Sequence, residues 1–166
     1  MRTGLIILDM LNDFVDGVLA NPVAKGIIDP IARLVEEGRR RDDWVVIHAN
    51  DAHQVGDFEF RVFGEHALAG SPGAQVVPAL RPEPGDFMVP KRSDSAFADT
   101  DLDMTCRVQD LERVVIVGQH TERCCRHTAY EPAGRGNHEQ RQQVALDYPR
   151  NCYATEVVGS RSLVNR

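Results

Sequence analysis

The sequence is poor in aromatic residues, which make up 6% of the chain with a single tryptophan, and it has no apolar run near the ~18 residues a membrane-spanning helix needs. No basic run or interleaving of basic and aromatic residues marks a nucleic-acid surface, and 25 acidic against 19 basic residues leave a net charge of -6, so no nucleic-acid or membrane partner is expected. Cysteine is sparse and unpatterned: Cys106, Cys124, Cys125 and Cys152 form neither a disulfide scaffold nor a CxxC metal pair, which points to free thiols. Lysine is rarer still. Of the 19 basic residues only Lys25 and Lys91 are lysine, so each is a candidate for a place that needs a compact ammonium and not a guanidinium fork. The stretch Gly4-Leu5-Ile6-Ile7-Leu8-Asp9 is too short and lacks the cleavage pattern of a secretory signal; a cytoplasmic protein is expected.

What is present is the pattern of one α/β domain over residues 1–166. Gly4–Leu8 reads as a buried strand ending at Asp9, and Trp44–Ala49 as another ending near Asn50 and Asp51. Between them Ile27, Ile28, Ile31, Leu34 and Val35 recur at helical spacing, with Asn21 as the expected N-cap and Pro22 as the first helical residue. Phe87–Pro90, ending at Lys91, and Val114–Val117, ending at Gly118, complete four strands, with helices expected around Gly73–Leu80 and Asp101–Leu111. Alternating strands and helices predict an open, mostly parallel, doubly wound sheet with helices on both faces, a three-layer α/β/α arrangement. Residues 51–72 are long for a connection and carry Asp51, His53, Asp57, Glu59, Glu65 and His66, which suggests a functional loop.

In such sheets ligands bind outside the carboxyl ends of the strands. Those ends are occupied by Asp9, Asp51, Lys91 and the segment Gly118-Gln119-His120-Thr121-Glu122-Arg123-Cys124-Cys125. With Thr121 as the expected N-cap, Cys124 falls at the third helical position, where free N–H groups, the positive helix end and a nearby lysine favour the thiolate. Asp9 is then a candidate base, Cys124 a nucleophile and Lys91 an electrostatic stabiliser. Each also has a structural role open to it: a cap for Asp9, a surface charge for Lys91, a small core residue for Cys124. Cys125 is read as structural.

From about Leu5 to Gly136 the sequence resembles the isochorismatase-like cysteine hydrolases, a family that includes nicotinamidases, N-carbamoylsarcosine amidase and ureidoacrylate hydrolases. The likeness rests on Leu8-Asp9-Met10-Leu11-Asn12-Asp13-Phe14, on Lys91 followed by Ser95-Ala96-Phe97, and on Val117 through Cys125, which is similar to V-G-x-x-T-x-x-C-V. The resemblance implies an Asp9-Lys91-Cys124 triad and a non-proline cis peptide at Gln119-His120. It also implies an oxyanion hole from the backbone N–H groups of His120 and Cys124, and pocket walls at Phe14 and Phe97. Asp51, His53 and His66 match the divalent-metal ligands of nicotinamidases, which implies either a Zn, Fe or Mn cofactor or, as in metal-free members of the superfamily, no cofactor with His66 hydrogen-bonding its loop. Family members also commonly pair, so a homo-oligomer is expected.

The implied activity is hydrolysis of the C–N bond of a small amide through a thioester. Two alternatives stay open: a vinyl-ether hydrolase of the isochorismatase type using Asp9 as acid, and an inactive binding or thiol-redox protein on the same fold. Leu11, Ala52 and Arg123 depart from the family's residues and alter the pocket walls. Residues 137–166 form an atypical tail rich in Gln, Arg and His, and neither His138, Asp147 nor Cys152 is expected to take part in catalysis.

Overall fold

A computed structural model describes residues 1–134, 141–144 and 156–157, with side chains described through Glu131. Among the described residues six strands hydrogen-bond in one sheet, every pair parallel: β1 (Thr3–Leu8), β2 (Trp44–Asp51), β3 (Phe87–Lys91), β4 (Arg113–Gly118), β5 (Arg141–Val144) and β6 (Glu156–Val157). Their order is β3-β2-β1-β4-β5-β6, so the chain first builds outward from β1 on one side and then reverses to the other. The reversal leaves a crevice between the carboxyl ends of β1 and β4.

All six residues of β1 and all eight of β2 are buried, which is why Gly4–Leu8 and Trp44–Ile47 read as continuous apolar stretches instead of alternating ones. Successive residues face opposite layers. Leu5 and Ile7 pack with Ile31, Leu34 and Val35 of α2 (Ala24–Arg39), whereas Ile6 and Leu8 pack with residues of the opposite layer. Those are Leu102 and Cys106 of α4 (Leu102–Val108) and Ala129 of α5 (Arg126–Gly134). Each large side chain sealed in this way stabilises the domain by about 1.5–3 kcal/mol before entropy is counted. Two short helices, α1 (Asn12–Val15) and α3 (Phe60–Phe63), lie in the connections after β1 and β2.

Two helix expectations need correction. The second helix begins at Ala24, because Asn21 Oδ1 accepts the Val23 N–H at 3.2 Å and the Asn21 carbonyl accepts the Ala24 N–H at 3.0 Å, making a turn that contains Pro22. Gly73–Leu80 forms no α-helix: it holds a turn at Gly73–Ala74, an antiparallel bridge from Val76 to Leu11 and one tight helical turn at Pro78–Leu80. Backbone groups that a helix would need are taken by the segment after β1. Gly73 O accepts from Asp13 N–H, Gln75 O from Asn12 N–H, and Val77 N–H donates to Met10 O. No helix among the described residues is long and apolar enough to cross a membrane.

Candidate active site

Asp9 leaves the end of β1 at φ 53°, a strained setting for a residue with a Cβ, and is held there from three sides. Its N–H donates to Asn50 Oδ1 at 2.9 Å, its carbonyl accepts from Gln119 Nε2 at 3.0 Å, and its Oδ1 accepts the Asp51 N–H at 2.8 Å. Lys91, the last residue of β3, is fully buried and reaches across the strand ends. Its Nζ lies 2.9 Å from Asp9 Oδ2, 2.6 Å from Asp51 Oδ1 and 3.4 Å from Cys124 Sγ. The structure thus brings Asp9, Lys91 and Cys124 together, with Asp51 sharing the ammonium. Lys25, the other lysine, forms an exposed ion pair with Asp16, so lysine scarcity alone did not single out the buried one.

The charges follow from this enclosure. Burial, reinforced by the neighbouring Asp51 carboxylate, pushes the Asp9 carboxyl up to about 6 despite Lys91. Burial opposes the charge on Lys91, but Asp9, Asp51 and Cys124 outweigh it and hold the ammonium well above its usual range. For Asp51, burial is overcome by His53 and Lys91, which keep it below the ordinary carboxylate range. Burial and the Asp9 carboxylate push the Cys124 thiol well above its ordinary value, and Lys91 only partly offsets them.

The local geometry of Cys124 also departs from expectation. His120 occupies the cap position, in extended conformation with no side-chain cap, and Thr121–Cys125 form a wide turn leading into α5. The His120 carbonyl accepts the N–H groups of Arg123 and Cys125 at 3.1 Å each. Cys124 is therefore the fourth residue of the turn, not the third. The Gln119-His120 peptide is cis, as the sequence resemblance implied. Gly118 makes the approach possible: at φ +118° it sits opposite Leu8, and a Cβ there would lie 2.0 Å from the Leu8 carbonyl oxygen.

Beside this group, donor atoms of Asp51, His53 and His66 lie within 4.8 Å of one another, all three residues buried. His66 Nδ1 must donate to the Gly64 carbonyl at 2.7 Å, which leaves its Nε2 with a lone pair. His53 Nδ1 lies 3.1 Å from Asp57 Oδ2, which the Arg92 guanidinium keeps ionised. Burial opposes a charge on the ring, but Asp51, Asp57 and Glu59 outweigh it and raise the His53 imidazole above its ordinary value, so it is the neutral form, with Nδ1 donating, that offers Nε2 to a cation. That nitrogen is buried with no hydrogen-bond partner. Glu59 Oε2 stands 3.8 Å from His53 Nε2 and 3.9 Å from His66 Nε2, adding a carboxylate. Two imidazole lone pairs and one or two carboxylates, with second-sphere partners in place, fit a borderline divalent cation.

Phe14 is brought to the mouth, its ring 5.6 Å from those of both His66 and His120. Phe97 is built into the apolar layer with Val89 and Cys125 instead, because the Ser95 Oγ and Thr128 Oγ1 contacts to the Phe97 and Ala96 N–H groups turn this segment inward. Three residues had no distinguishing sequence signal: Asn50 and Gln119, which hold the Asp9 backbone, and Asp94, whose Oδ1 lies 4.0 Å from Cys124 Sγ. Arg123 Nη2 lies 3.0 Å from Asp94 and 3.7 Å from Glu59, and its guanidinium sits 4.4 Å over the Phe63 ring, closing one side of the mouth. His138, Asp147 and Cys152 lie outside the described residues.

The family model for the Isochorismatase domain matches residues 3–138. A relative in Bacillus subtilis, described as an uncharacterized isochorismatase family protein, is 33% identical over 149 residues, covering 82% of this chain and 81% of its own. An Arabidopsis thaliana relative named "Probable inactive nicotinamidase" is 27% identical over 171 residues, covering 96% of this chain and 81% of its own. Among solved structures, N-carbamoylsarcosine amidase from Thermoplasma acidophilum superposes with a TM-score of 0.86 at 32% identity, covering 96% of this chain and 97% of its own.

Proposed function

The chain belongs to the isochorismatase family, and we propose that within it the protein is a cysteine hydrolase cleaving the C–N bond of a small amide. The observation that carries this reading is the shared ammonium, with Lys91 Nζ 2.9 Å from Asp9 Oδ2 and 3.4 Å from Cys124 Sγ inside a sealed site. Because the thiol is held protonated, Asp9 removes its proton as Sγ bonds to the carbonyl carbon. The backbone N–H groups of His120 and Cys124 receive the oxyanion, a contribution worth about 3 kcal/mol per donor where it has been measured. Collapse of the tetrahedral intermediate breaks the C–N bond, and the departing amine takes the proton from Asp9. Water then attacks the thioester with Asp9 again as base, releasing the acid and returning the proton to sulfur. Lys91 keeps Asp9 and the developing thiolate from repelling one another throughout.

Asp51, His53 and His66 are the residues that would hold Zn, Fe or Mn, and the ion would supply a Lewis acid beside the thiol. The steps above are assigned to the chain's own groups.

One observation favours a second reading. A carboxyl held up to about 6 is also suited to donating a proton, as a vinyl-ether hydrolase using Asp9 as acid would need. A panel of small amides assayed for ammonia or amine release tests the first reading. Turnover of amides that disappears in Cys124→Ala supports it, and vinyl-ether cleavage that survives Cys124→Ala would replace it with the second.

A further inference from the structure

Asp94 takes no part in the steps above, yet its Oδ1 stands 4.0 Å from Cys124 Sγ. It lies in the connection from β3 to α4, and its side chain is 27% exposed, whereas those of Asp9 and Lys91 have no exposure at all. Asp94 therefore belongs to the wall of the site that solvent and substrate reach, and the other two to its sealed floor.

Arg123 Nε and Nη2 both donate to Asp94 Oδ1, at 3.0 Å each. Asp94 Oδ2 keeps its lone pairs, because its ion-pair contact with His127 Nε2, at 3.9 Å, is too long for a hydrogen bond. The cations at the site are already matched: Lys91 by Asp9 and Asp51, Arg92 by Asp57, and Arg123 by Asp94 and by Glu59 at 3.7 Å. With Asp9 ionised, the carboxylates of Asp9, Asp51, Glu59 and Asp94 outnumber the charges of Lys91 and Arg123. A divalent ion held by Asp51, His53 and His66 would balance that surplus without reversing it.

A carboxylate on the substrate thus finds no free cation among these side chains and is repelled by Asp94, whereas an ammonium finds an acceptor with an open oxygen. The scissile carbonyl carbon bonds to Sγ itself. An ammonium one carbon beyond it therefore comes within ion-pair reach of a carboxylate 4.0 Å from that sulfur.

We propose that Asp94 is a specificity-determining residue that selects small amides carrying an ammonium beside the scissile carbonyl, the class of amino-acid amides, and turns away amides carrying a carboxylate. The proposal rests on the cysteine-hydrolase reading and names the substrate class within it. Oδ1 anchors Arg123 while Oδ2 receives the ammonium, so one carboxylate both builds the wall and reads the substrate.

The test compares glycinamide, its neutral counterpart of the same shape, propionamide, and the carboxylate-bearing malonamate at pH about 7, where the glycinamide amine is mostly charged. Binding is followed by NMR titration of ¹⁵N-labelled Cys124→Ala protein, which reads it apart from turnover. Glycinamide should bind at least tenfold more tightly than propionamide, and malonamate more weakly than both. Asp94→Asn on that background should reduce the preference for glycinamide at least fivefold. Arg123→Gln, which uncovers Asp94 and Glu59, should instead widen it at least twofold, whereas a purely structural pair would give both variants the same change. In the intact enzyme, ammonia release should follow the same order in kcat/KM. Equal or tighter binding of propionamide or malonamate, no saturable binding of glycinamide, or a preference that survives Asp94→Asn would overturn the proposal. Binding in the expected order with no ammonia release from any of the three would sink the hydrolase reading and keep Asp94 as the selector.

Discussion

Lys91 Nζ lies 2.9 Å from Asp9 Oδ2, and neither side chain has any exposure to solvent. A buried pair of this kind contributes little net stability when intact, yet removing one partner leaves the other charge uncompensated. Here Asp51 also leans on the same ammonium, at 2.6 Å, so two carboxylates depend on it.

Replacing that lysine should separate charge from shape. Lys91→Met is expected to cost about 3–5 kcal/mol of stability in urea unfolding, because Asp9 and Asp51 lose their common counter-charge. Lys91→Arg keeps the charge, but a planar fork does not fit between a carboxylate and a sulfur, so kcat should fall at least about a hundredfold. Near-normal turnover of Lys91→Arg would remove Lys91 from the reaction.

The activity should depend on pH through Asp9. Its carboxyl, raised to about 6 by burial and by Asp51, must be ionised to take the thiol proton. Below that pH, kcat/KM should therefore fall about tenfold per unit, and above it the profile should level off. Asp9→Asn should remove this limb together with activity. A profile that instead rises on acidification through the same range would favour Asp9 as a proton donor.

Thiol labelling should follow the same proton. Burial and Asp103 push Cys106 up to about 12, and full burial pushes Cys125 up as well. Cys124 is also protonated at rest but has Asp9 and Lys91 beside it, so iodoacetamide should modify it before those two, and Asp9→Asn should slow the modification. Preferential labelling of Cys125 would shift the nucleophile by one residue. Retention of turnover after complete alkylation of Cys124 would eliminate the thioester route.

Metal uptake is checked by elemental analysis after equilibration with Zn²⁺, Mn²⁺ or Fe²⁺. One ion per chain is expected, falling as the solution is acidified; because neighbouring carboxylates raise the His53 imidazole above its ordinary value of about 6.5, the fall should already begin above that pH. His66→Ala should weaken uptake at least about tenfold, since it removes one of two Nε2 donors. Unchanged uptake in that variant would place the ion elsewhere.

Gly118→Ala tests the backbone that brings β1 and β4 together. A Cβ 2.0 Å from the Leu8 carbonyl oxygen, at a φ of +118°, forces the strand ends apart, and a loss of at least about 2 kcal/mol in unfolding free energy is expected. A smaller change would mean that the turn has room to move without disturbing the strands.

Much of the fold was legible because its signals are local. The apolar runs of β1, β2 and β4 require burial on both faces, and that requirement alone specifies parallel strands covered by helices on each side. The positions of Asp9, Lys91 and Cys124 at strand ends followed from the same runs. What the sequence could not supply was everything that depends on which groups meet. Gly73–Leu80 has helical composition, but Met10, Asn12 and Asp13 claimed its backbone hydrogen-bonding groups. Cys124 has the setting of an activated thiol, yet its ionisation was decided by burial and by two carboxylates from β1 and β2, 115 and 73 residues away along the chain. Hydrophobic periodicity is encoded residue by residue. Desolvation and Coulomb interaction arise only when distant segments converge, so the tertiary structure alone decided the charge state of the site.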